Sequence, residues 1–200
     1  LRVFRKMLRF TAFVSFPAML GLSLVSPELI TLVITDKWAE SADMLRILAV
    51  WGAFMPLQSM LTNLLVSCGR AQTFMWCTII QGVLTLAILL AVHPYGIMVM
   101  LVCYCVFNAL WLLVWRHFAS KEIALTLSMF LLDVVPYMLL AASTMIVTYM
   151  LTCGIDDKLL LLVSRIAIAV LLYLGISGLL RSNELHEITC FLFKRIRLSD

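Results

Sequence analysis

The 200-residue sequence contains few charged residues: Asp, Glu, Lys and Arg make up 13% of it, whereas hydrophobic residues make up 64%. Ordinary soluble domains are roughly 25% charged, because charged side chains cover the surface that faces water. This composition therefore excludes a water-soluble domain. With 8 glycines, 5 prolines and no low-complexity tract, the sequence also excludes collagen-like and disordered chains.

Sequence signatures of catalysis and metal binding are absent. The 6 cysteines form no CxxC pair, and the 3 histidines have no carboxylate or cysteine at metal-ligand spacing. The sequence also has no nucleotide-binding loop, no GxSxG and no HExxH, and no paired carboxylates at a constrained spacing. We therefore expect no catalytic residue, no metal, no cofactor and no nucleic-acid partner.

Long uncharged runs dominate the sequence instead. Residues 71–115 form a 45-residue stretch without Asp, Glu, Lys or Arg, whereas about 20 apolar residues suffice to cross a bilayer. Two spans must therefore lie here, and the HPYG sequence at residues 93–96 favours a turn between them. The predicted fold is all-α, a polytopic bundle of six transmembrane helices. The predicted spans are residues 7–25, 41–68, 72–92, 96–116, 130–152 and 158–180. A short interfacial helix is predicted at residues 27–34, because Ser-Pro-Glu at residues 26–28 is typical of a new helix start.

The distribution of Lys and Arg predicts the orientation. If the N-terminus is cytoplasmic, eleven of the fifteen basic residues lie on the cytoplasmic side, in agreement with the positive-inside rule. We predict a multi-pass protein of the cell (inner) membrane, with both ends of this segment in the cytoplasm. Residues 1–183 form the transmembrane bundle, and residues 184–200 form a basic amphipathic tail on the inner leaflet. The sequence does not begin with methionine, so we expect a longer chain.

Charged side chains inside predicted spans are functional candidates, since a charge at the bilayer centre costs about 2.5–3.5 kcal/mol. Arg46 lies one turn inside the second span and either snorkels, pairs with Asp43 or lines a substrate groove. Arg165 either reaches Asp156 or Asp157 or contacts an anionic group of a substrate.

Asp133 is the one charged residue between residues 123 and 155. It lies near the inner end of the fifth span, where it either caps backbone amides, meets Arg116 or Lys121, or couples an ion to transport. Pro136, three residues later, and Pro56 in the second span are predicted sites of helix kinks.

Four polar side chains form a stripe on the second span. They are Gln58, Ser59, Thr62 and Asn63, at positions i, i+1, i+4 and i+5. The stripe is not expected to face lipid: it either forms hydrogen bonds between helices in the bundle core or lines a hydrated groove for a polar ligand. The candidate groove residues are Arg46, Gln58, Thr62, Asn63 and Arg165.

Six short segments carry a resemblance to a known family. They are residues 16–22 (FPAMLGL), 26–30 (SPELI), 37–38 (KW), 48–58 (LAVWGAFMPLQ), 69–70 (GR) and 94–97 (PYGI). In this order the sequence resembles the C-terminal part of the lipid-linked oligosaccharide flippases, the polysaccharide branch of the multidrug/oligosaccharidyl-lipid/polysaccharide exporter superfamily. The resemblance implies the last six of about fourteen spans, with both ends cytoplasmic.

The resemblance also implies a substrate. It would be a polyprenyl-pyrophosphate-linked oligosaccharide, moved across the cytoplasmic membrane for lipopolysaccharide, capsule or exopolysaccharide synthesis, by alternating access of two helix bundles around a cationic cavity. The implied partners are membrane lipids, a polysaccharide polymerase and glycosyltransferases. In one respect the sequence departs from the family: the helix after Gly69-Arg70 begins without the charged residues that relatives carry there.

Two other functions remain open. One is a non-transporting membrane scaffold that anchors glycan-assembly enzymes, for which the polar stripe would be sealed by neighbouring helices. The other is a drug exporter of the same superfamily, which would require cation-binding carboxylates deep in the bundle. Asp133 is the only carboxylate that the sequence offers for that role, and it lies close to the inner surface.

Overall fold

The computed structural model describes residues 1–33, 36–154 and 157–179. These residues form seven α-helices and no strand. The helices are α1 (Arg2–Val33), α2 (Ala39–Gly52), α3 (Met55–Ser67), α4 (Ala71–Val92), α5 (Ile97–Ile123), α6 (Leu127–Leu151) and α7 (Lys158–Leu179). Short 3₁₀ turns, Asp36–Trp38 and His93–Tyr95, precede α2 and α5.

The helices provide six segments long and apolar enough to cross a membrane within the part of the chain described. Five are single helices, and the sixth, Glu40–Ser67, combines α2 and α3. The predicted all-α bundle of six spans is therefore confirmed. The predicted division at residues 93–96 coincides with the turn between α4 and α5, where Gly96 has a φ of 93° that favours glycine. The predicted tail, residues 184–200, lies outside the described residues.

The prediction of a separate short helix at residues 27–34 is wrong, because α1 continues through Pro27 to Val33. Proline has no N–H, so Pro27 leaves the carbonyl of Ser23 without its usual helical donor. The hydroxyl of Ser26 donates to that carbonyl at 3.0 Å and satisfies it. The side-chain bond explains how the helix passes the proline without ending.

A second proline inside α1 is accommodated by a neighbouring helix. Pro17 leaves the carbonyl of Phe13 without a backbone donor, and the hydroxyl of Tyr173 on α7 donates to it at 2.8 Å. The rings of Phe13 and Tyr173 also pack together, with centroids 5.2 Å apart. The bond therefore satisfies the helix at Pro17 and joins α1 to α7 at the same time.

The second span, in which a kink at Pro56 is predicted, is interrupted between Gly52 and Met55. The amide of Phe54 forms a tight turn to the carbonyl of Trp51 (2.9 Å), and the hydroxyl of Ser15 on α1 donates to the carbonyl of Ala53 (2.9 Å). Pro56 then lies in the first turn of α3, a position that proline favours. By contrast, α6 is one continuous helix through Pro136.

Helix α1 lies at the centre of the packing and contacts α2, α3, α6 and α7. Its apolar side chains recur every four residues and meet a matching row on α3, as expected for facing helices. The fully buried members of these rows are Leu8, Ala12 and Phe16 on α1 and Leu57, Leu61 and Leu65 on α3. Helix α5 packs on α2, α3 and α4.

The two ends of the bundle carry different side chains. We call the end at which α1, α4 and α6 begin the N-terminal face, and the end at which α2, α5 and α7 begin the distal face. Arg70 pairs with Glu122 at the N-terminal face (2.8 Å). At the distal face the hydroxyl of Ser23 donates to the carbonyl of Arg46, at 3.1 Å, and joins α1 to α2.

The Tyr173 hydroxyl bond should contribute measurably to stability. We expect Tyr173→Phe to lower the free energy of unfolding by about 1 kcal/mol, because a buried carbonyl loses its donor. In a Pro17→Ala background the restored amide of residue 17 donates to the Phe13 carbonyl. There Tyr173→Phe should lower the free energy of unfolding by less. Unfolding of the full-length protein by a denaturing detergent in mixed micelles measures all four variants. If Tyr173→Phe lowers the free energy of unfolding equally in both backgrounds, the role assigned to the Tyr173 hydroxyl bond is contradicted.

Candidate functional site

Arg165 is a buried cation near the distal face, with 6% of its surface exposed. It lies seven residues into α7, about 10 Å from the start of that helix. Its Nη1 atom donates to Glu28 Oε1 at 2.6 Å and to the carbonyl of Leu24 at 3.4 Å. Its Nε donates to Thr152 Oγ1 at 3.2 Å, and its guanidinium carbon lies 5.4 Å from the ring centroid of Tyr149.

The partner carboxylate comes from α1 because that helix continues past Pro27. Glu28 therefore lies one helical turn after Leu24, so that both residues present acceptors to the same guanidinium. The Glu28 side chain is 11% exposed, and its second oxygen, Oε2, is buried without a hydrogen bond among the described residues. Glu28 thus neutralises Arg165 while keeping one oxygen unused.

A cavity of about 640 Å³ opens beside this ion pair, between α1, α2, α6 and α7, and we call it the polar cavity because charged side chains form part of its otherwise apolar lining. Glu28, Arg165 and Tyr149 line it, and Arg46 lines it from α2. Arg46 NH1 lies 3.5 Å from Asp43 Oδ1, and both side chains are about half exposed, so this pair is weak and screened by solvent. The cavity therefore holds two guanidinium groups of very different burial.

An apolar groove of about 460 Å³ adjoins the polar cavity, and Arg165, Leu24 and Met145 line both spaces. The groove follows α1 and α7 towards the middle of the bundle, and its lining on α7 extends from Arg165 to Leu174. Nine residues of helix correspond to about 14 Å. Its other lining residues are apolar apart from Tyr173, whose hydroxyl is already bound to α1.

The cavity and the groove together suit an amphiphile. The guanidinium of Arg165 is a group suited to binding phosphate, although its Nη1 donates to Glu28 in this structure, and the groove can hold an attached hydrocarbon chain. Arg46 lies at the more solvent-exposed side of the cavity, where it can contact a polar headgroup.

Asp133 lies at the N-terminal face, away from this site. It is 3% exposed and accepts two hydrogen bonds from Arg5 of α1, at 2.6 and 2.9 Å, while Arg9 Nε lies 3.6 Å from it. The expectation that it meets Arg116 or Lys121 is wrong, because the first turns of α1 pack against α6. Its role in ion coupling stays a prediction.

The polar stripe on α3 faces away from the buried leucines of that helix. Ser59 and Asn63 are exposed, whereas Gln58 and Thr62 are half-buried. Ser59 donates to the carbonyl of Met55 and Thr62 donates to that of Ser59, so both hydroxyls bond within their own helix. The stripe does not line the polar cavity, and its function as a groove stays a prediction.

The structure therefore joins two of the candidate groove residues, Arg46 and Arg165, and separates them from Gln58, Thr62 and Asn63. Arg46 pairs with Asp43, one of the alternatives predicted for it. Arg165 pairs with Glu28 instead of an aspartate of the α6–α7 connection, of which Asp156 lies outside the described residues. Sequence reasoning missed Glu28 because it treated this residue as the first-turn acid of a separate helix.

The fold and the site define a multi-pass helical membrane protein. A protein family described as polysaccharide biosynthesis protein matches residues 1–43, which include α1 with Arg5 and Glu28. Teichuronic acid biosynthesis protein TuaB of Bacillus subtilis (strain 168) is 26% identical over 168 residues, which are 84% of this chain. They are 35% of that relative, so the chain spans about a third of its length. No solved structure matches the chain. Both matches confirm the predicted resemblance to proteins of polysaccharide biosynthesis.

The pairing of Asp133 with Arg5 should stabilise the bundle. We expect Asp133→Asn to lower the free energy of unfolding by about 2 kcal/mol, less than for a fully buried pair because Arg5 is partly exposed. In the Asp133→Asn background, Arg5→Gln should lower the free energy of unfolding by less than it does in the wild type. A double-mutant cycle in mixed micelles measures this difference. Asp43→Asn, which breaks an exposed pair, is the matched control. A cost no larger than that of the control would refute the pairing.

Proposed function

We propose that this chain is part of a transporter that moves a lipid-linked, anionic polysaccharide precursor across the cytoplasmic membrane. The observation that carries the proposal is that the polar cavity and the apolar groove lie side by side and share Arg165 in their lining. A polyprenyl-pyrophosphate-linked oligosaccharide has the matching parts: an anionic linkage for the guanidinium, a hydrocarbon chain for the groove and a sugar for the wetter side of the cavity.

The comparisons support the polysaccharide part of this proposal. The matched family is described by polysaccharide biosynthesis, and the relative's name places that protein in teichuronic acid biosynthesis. The basic residues favour a cytoplasmic N-terminal face, so the polar cavity lies towards the outer side of the membrane in this proposal. The ligand would occupy it late in an outward passage, and no bond of the substrate is made or broken.

A membrane scaffold is the second candidate, and for it we expected the polar stripe on α3 to be sealed by neighbouring helices. Ser59 and Asn63 of that stripe are exposed, which does not favour the scaffold. Nor does a scaffold require a buried Arg–Glu pair between a polar and an apolar space. A transporter uses that pair as a binding site, and for this reason we prefer it.

Deleting the full-length gene separates the two functions. Loss of a transporter should leave labelled lipid-linked repeat units on the inner leaflet and remove surface polysaccharide, and the intact gene should restore both. If repeat units still reach the outer leaflet and only their polymerisation fails, the transport proposal is wrong and the scaffold takes its place.

Substitutions of Arg165 test the site itself. In the deletion strain we expect Arg165→Gln to reduce export of labelled precursor at least about tenfold, because one charge-assisted phosphate contact is worth about 1.5–3 kcal/mol. Arg165→Lys keeps the charge but loses the two-pronged geometry, so we expect partial export.

The matched control is Arg70→Gln, which also breaks an Arg–Glu pair but at the exposed N-terminal face. Its export should equal that of the wild type when all variants are present at equal amounts in the membrane. Normal export by Arg165→Gln at that level would exclude Arg165 from substrate binding.

A further inference from the structure

Glu28 occupies the position that an anionic ligand of Arg165 would need. Its Oε1 lies 2.6 Å from Nη1 of Arg165, and both residues line the polar cavity that would hold the proposed headgroup. Glu28 is therefore a resident counter-anion: a carboxylate of the chain itself that fills the anion site before a ligand arrives.

A ligand anion cannot simply be added to this pair. Two anions sharing one buried guanidinium repel each other, and a buried carboxylate separated from its cation is costly. When a phosphate replaces Glu28 on Arg165, Glu28 must gain another cation or lose its own charge.

The groups that face Glu28 indicate whether it gains another cation or loses its charge. Arg165 contributes the only buried cation from α7, and Tyr149 contributes an aromatic ring from α6. Arg46 of α2 is half exposed and already paired with Asp43, and Lys37 in the turn Asp36–Trp38 is exposed. Helix α3 has no titratable side chain. Among the described residues, no second buried cation lies ready for Glu28.

We propose that anion binding at Arg165 displaces Glu28 and transfers one proton from solvent to the Glu28 carboxylate, so that ligand and proton bind together. The step breaks the Glu28–Arg165 ion pair, forms an anion–Arg165 pair and converts one carboxylate into a neutral carboxylic acid. The net charge at Arg165 is thereby kept for the one negative charge of the ligand that replaces the Glu28 carboxylate. This inference rests on the proposed function, since it takes Arg165 as the site of the anionic headgroup.

The unused oxygen of Glu28 fits this role. Oε2 is buried and accepts no hydrogen bond among the described residues, so a proton can occupy it without displacing another donor. The adjoining cavity gives water a path to the carboxylate. A pair serving only stability is expected to have its remaining lone pairs satisfied by further hydrogen bonds.

Calorimetry on the full-length protein in lipid nanodiscs tests the exchange. Farnesyl pyrophosphate is the probe, titrated in buffers of different ionisation enthalpy so that the heat reports the protons taken up. The wild type should take up one more proton per bound probe than Glu28→Gln. Subtracting the two values removes the contribution from protonation of the probe itself. Because binding takes up a proton, the affinity of the wild type for the probe should decrease with rising pH more steeply than that of Glu28→Gln.

One further variant and one further measurement protect the test against a folding defect in Glu28→Gln. Glu28→Asp keeps a carboxylate and should keep the proton uptake. Infrared difference spectra should show a protonated carboxyl band when the probe binds to the wild type, and Glu28→Asp should shift that band. Probe binding without extra proton uptake and without the band would overturn the inference, because Glu28 would then have found another cation or stayed in place.

A failure of the proposed function would give a different experimental result from a failure of the proton exchange. If farnesyl pyrophosphate binds neither the wild type nor Glu28→Asp, the amphiphile site itself is wrong, and the proton exchange falls with it. If inorganic pyrophosphate binds as tightly as farnesyl pyrophosphate with the same proton uptake, the exchange is supported, while the lipid-linked nature of the ligand is contradicted.

Discussion

The need to neutralise charge in a low-dielectric interior organises this bundle. An unpaired ion at membrane depth is strongly disfavoured, and removal of one partner from a buried pair costs about 3–5 kcal/mol. Helix α1 meets this constraint with opposite charges at its two ends. Arg5 neutralises Asp133 of α6 at the N-terminal face, and Glu28 neutralises Arg165 of α7 at the distal face.

The same helix depends on its neighbours for its backbone. Two prolines inside α1 would leave carbonyl groups without donors in an environment that offers little water. The donors are a hydroxyl of α1 itself, from Ser26, and a hydroxyl of α7, from Tyr173. Because ion pairs and hydroxyl bonds both hold α1 to α6 and α7, the apolar groove between α1 and α7 has walls fixed at both ends.

The number of spans and the turn between α4 and α5 followed from the sequence, because both depend on local properties: apolar length and the presence of Pro and Gly. The distal site did not follow. Glu28 and Arg165 are 137 residues apart, and their pairing depends on how α1 packs against α7. Had Pro27 ended the helix, as its local sequence favours, Glu28 would have had no fixed position relative to Arg165.

The partner of Asp133, at the N-terminal face, could not be predicted from the sequence either. Its nearest basic residues along the sequence, Lys121 and Arg116, were the natural candidates for its partner. The structure supplies Arg5, 128 residues away, because α1 contacts α6 while α5 packs on α2, α3 and α4. Sequence identified which charges required partners, and only the packing of the helices could determine which partners they received.

The central claim is that Arg165 and the groove beside it bind an anionic amphiphile, and photocrosslinking tests it most directly. A farnesyl pyrophosphate analogue with a terminal diazirine would be irradiated with the full-length protein in native membranes, and labelled residues identified by mass spectrometry. Val170 and Leu174 line the groove, whereas Leu171, on the same helix and 71% exposed, does not. We expect labelling of Val170 and Leu174 that Arg165→Gln abolishes. Equal labelling of Leu171, unaffected by that substitution, would contradict the claim.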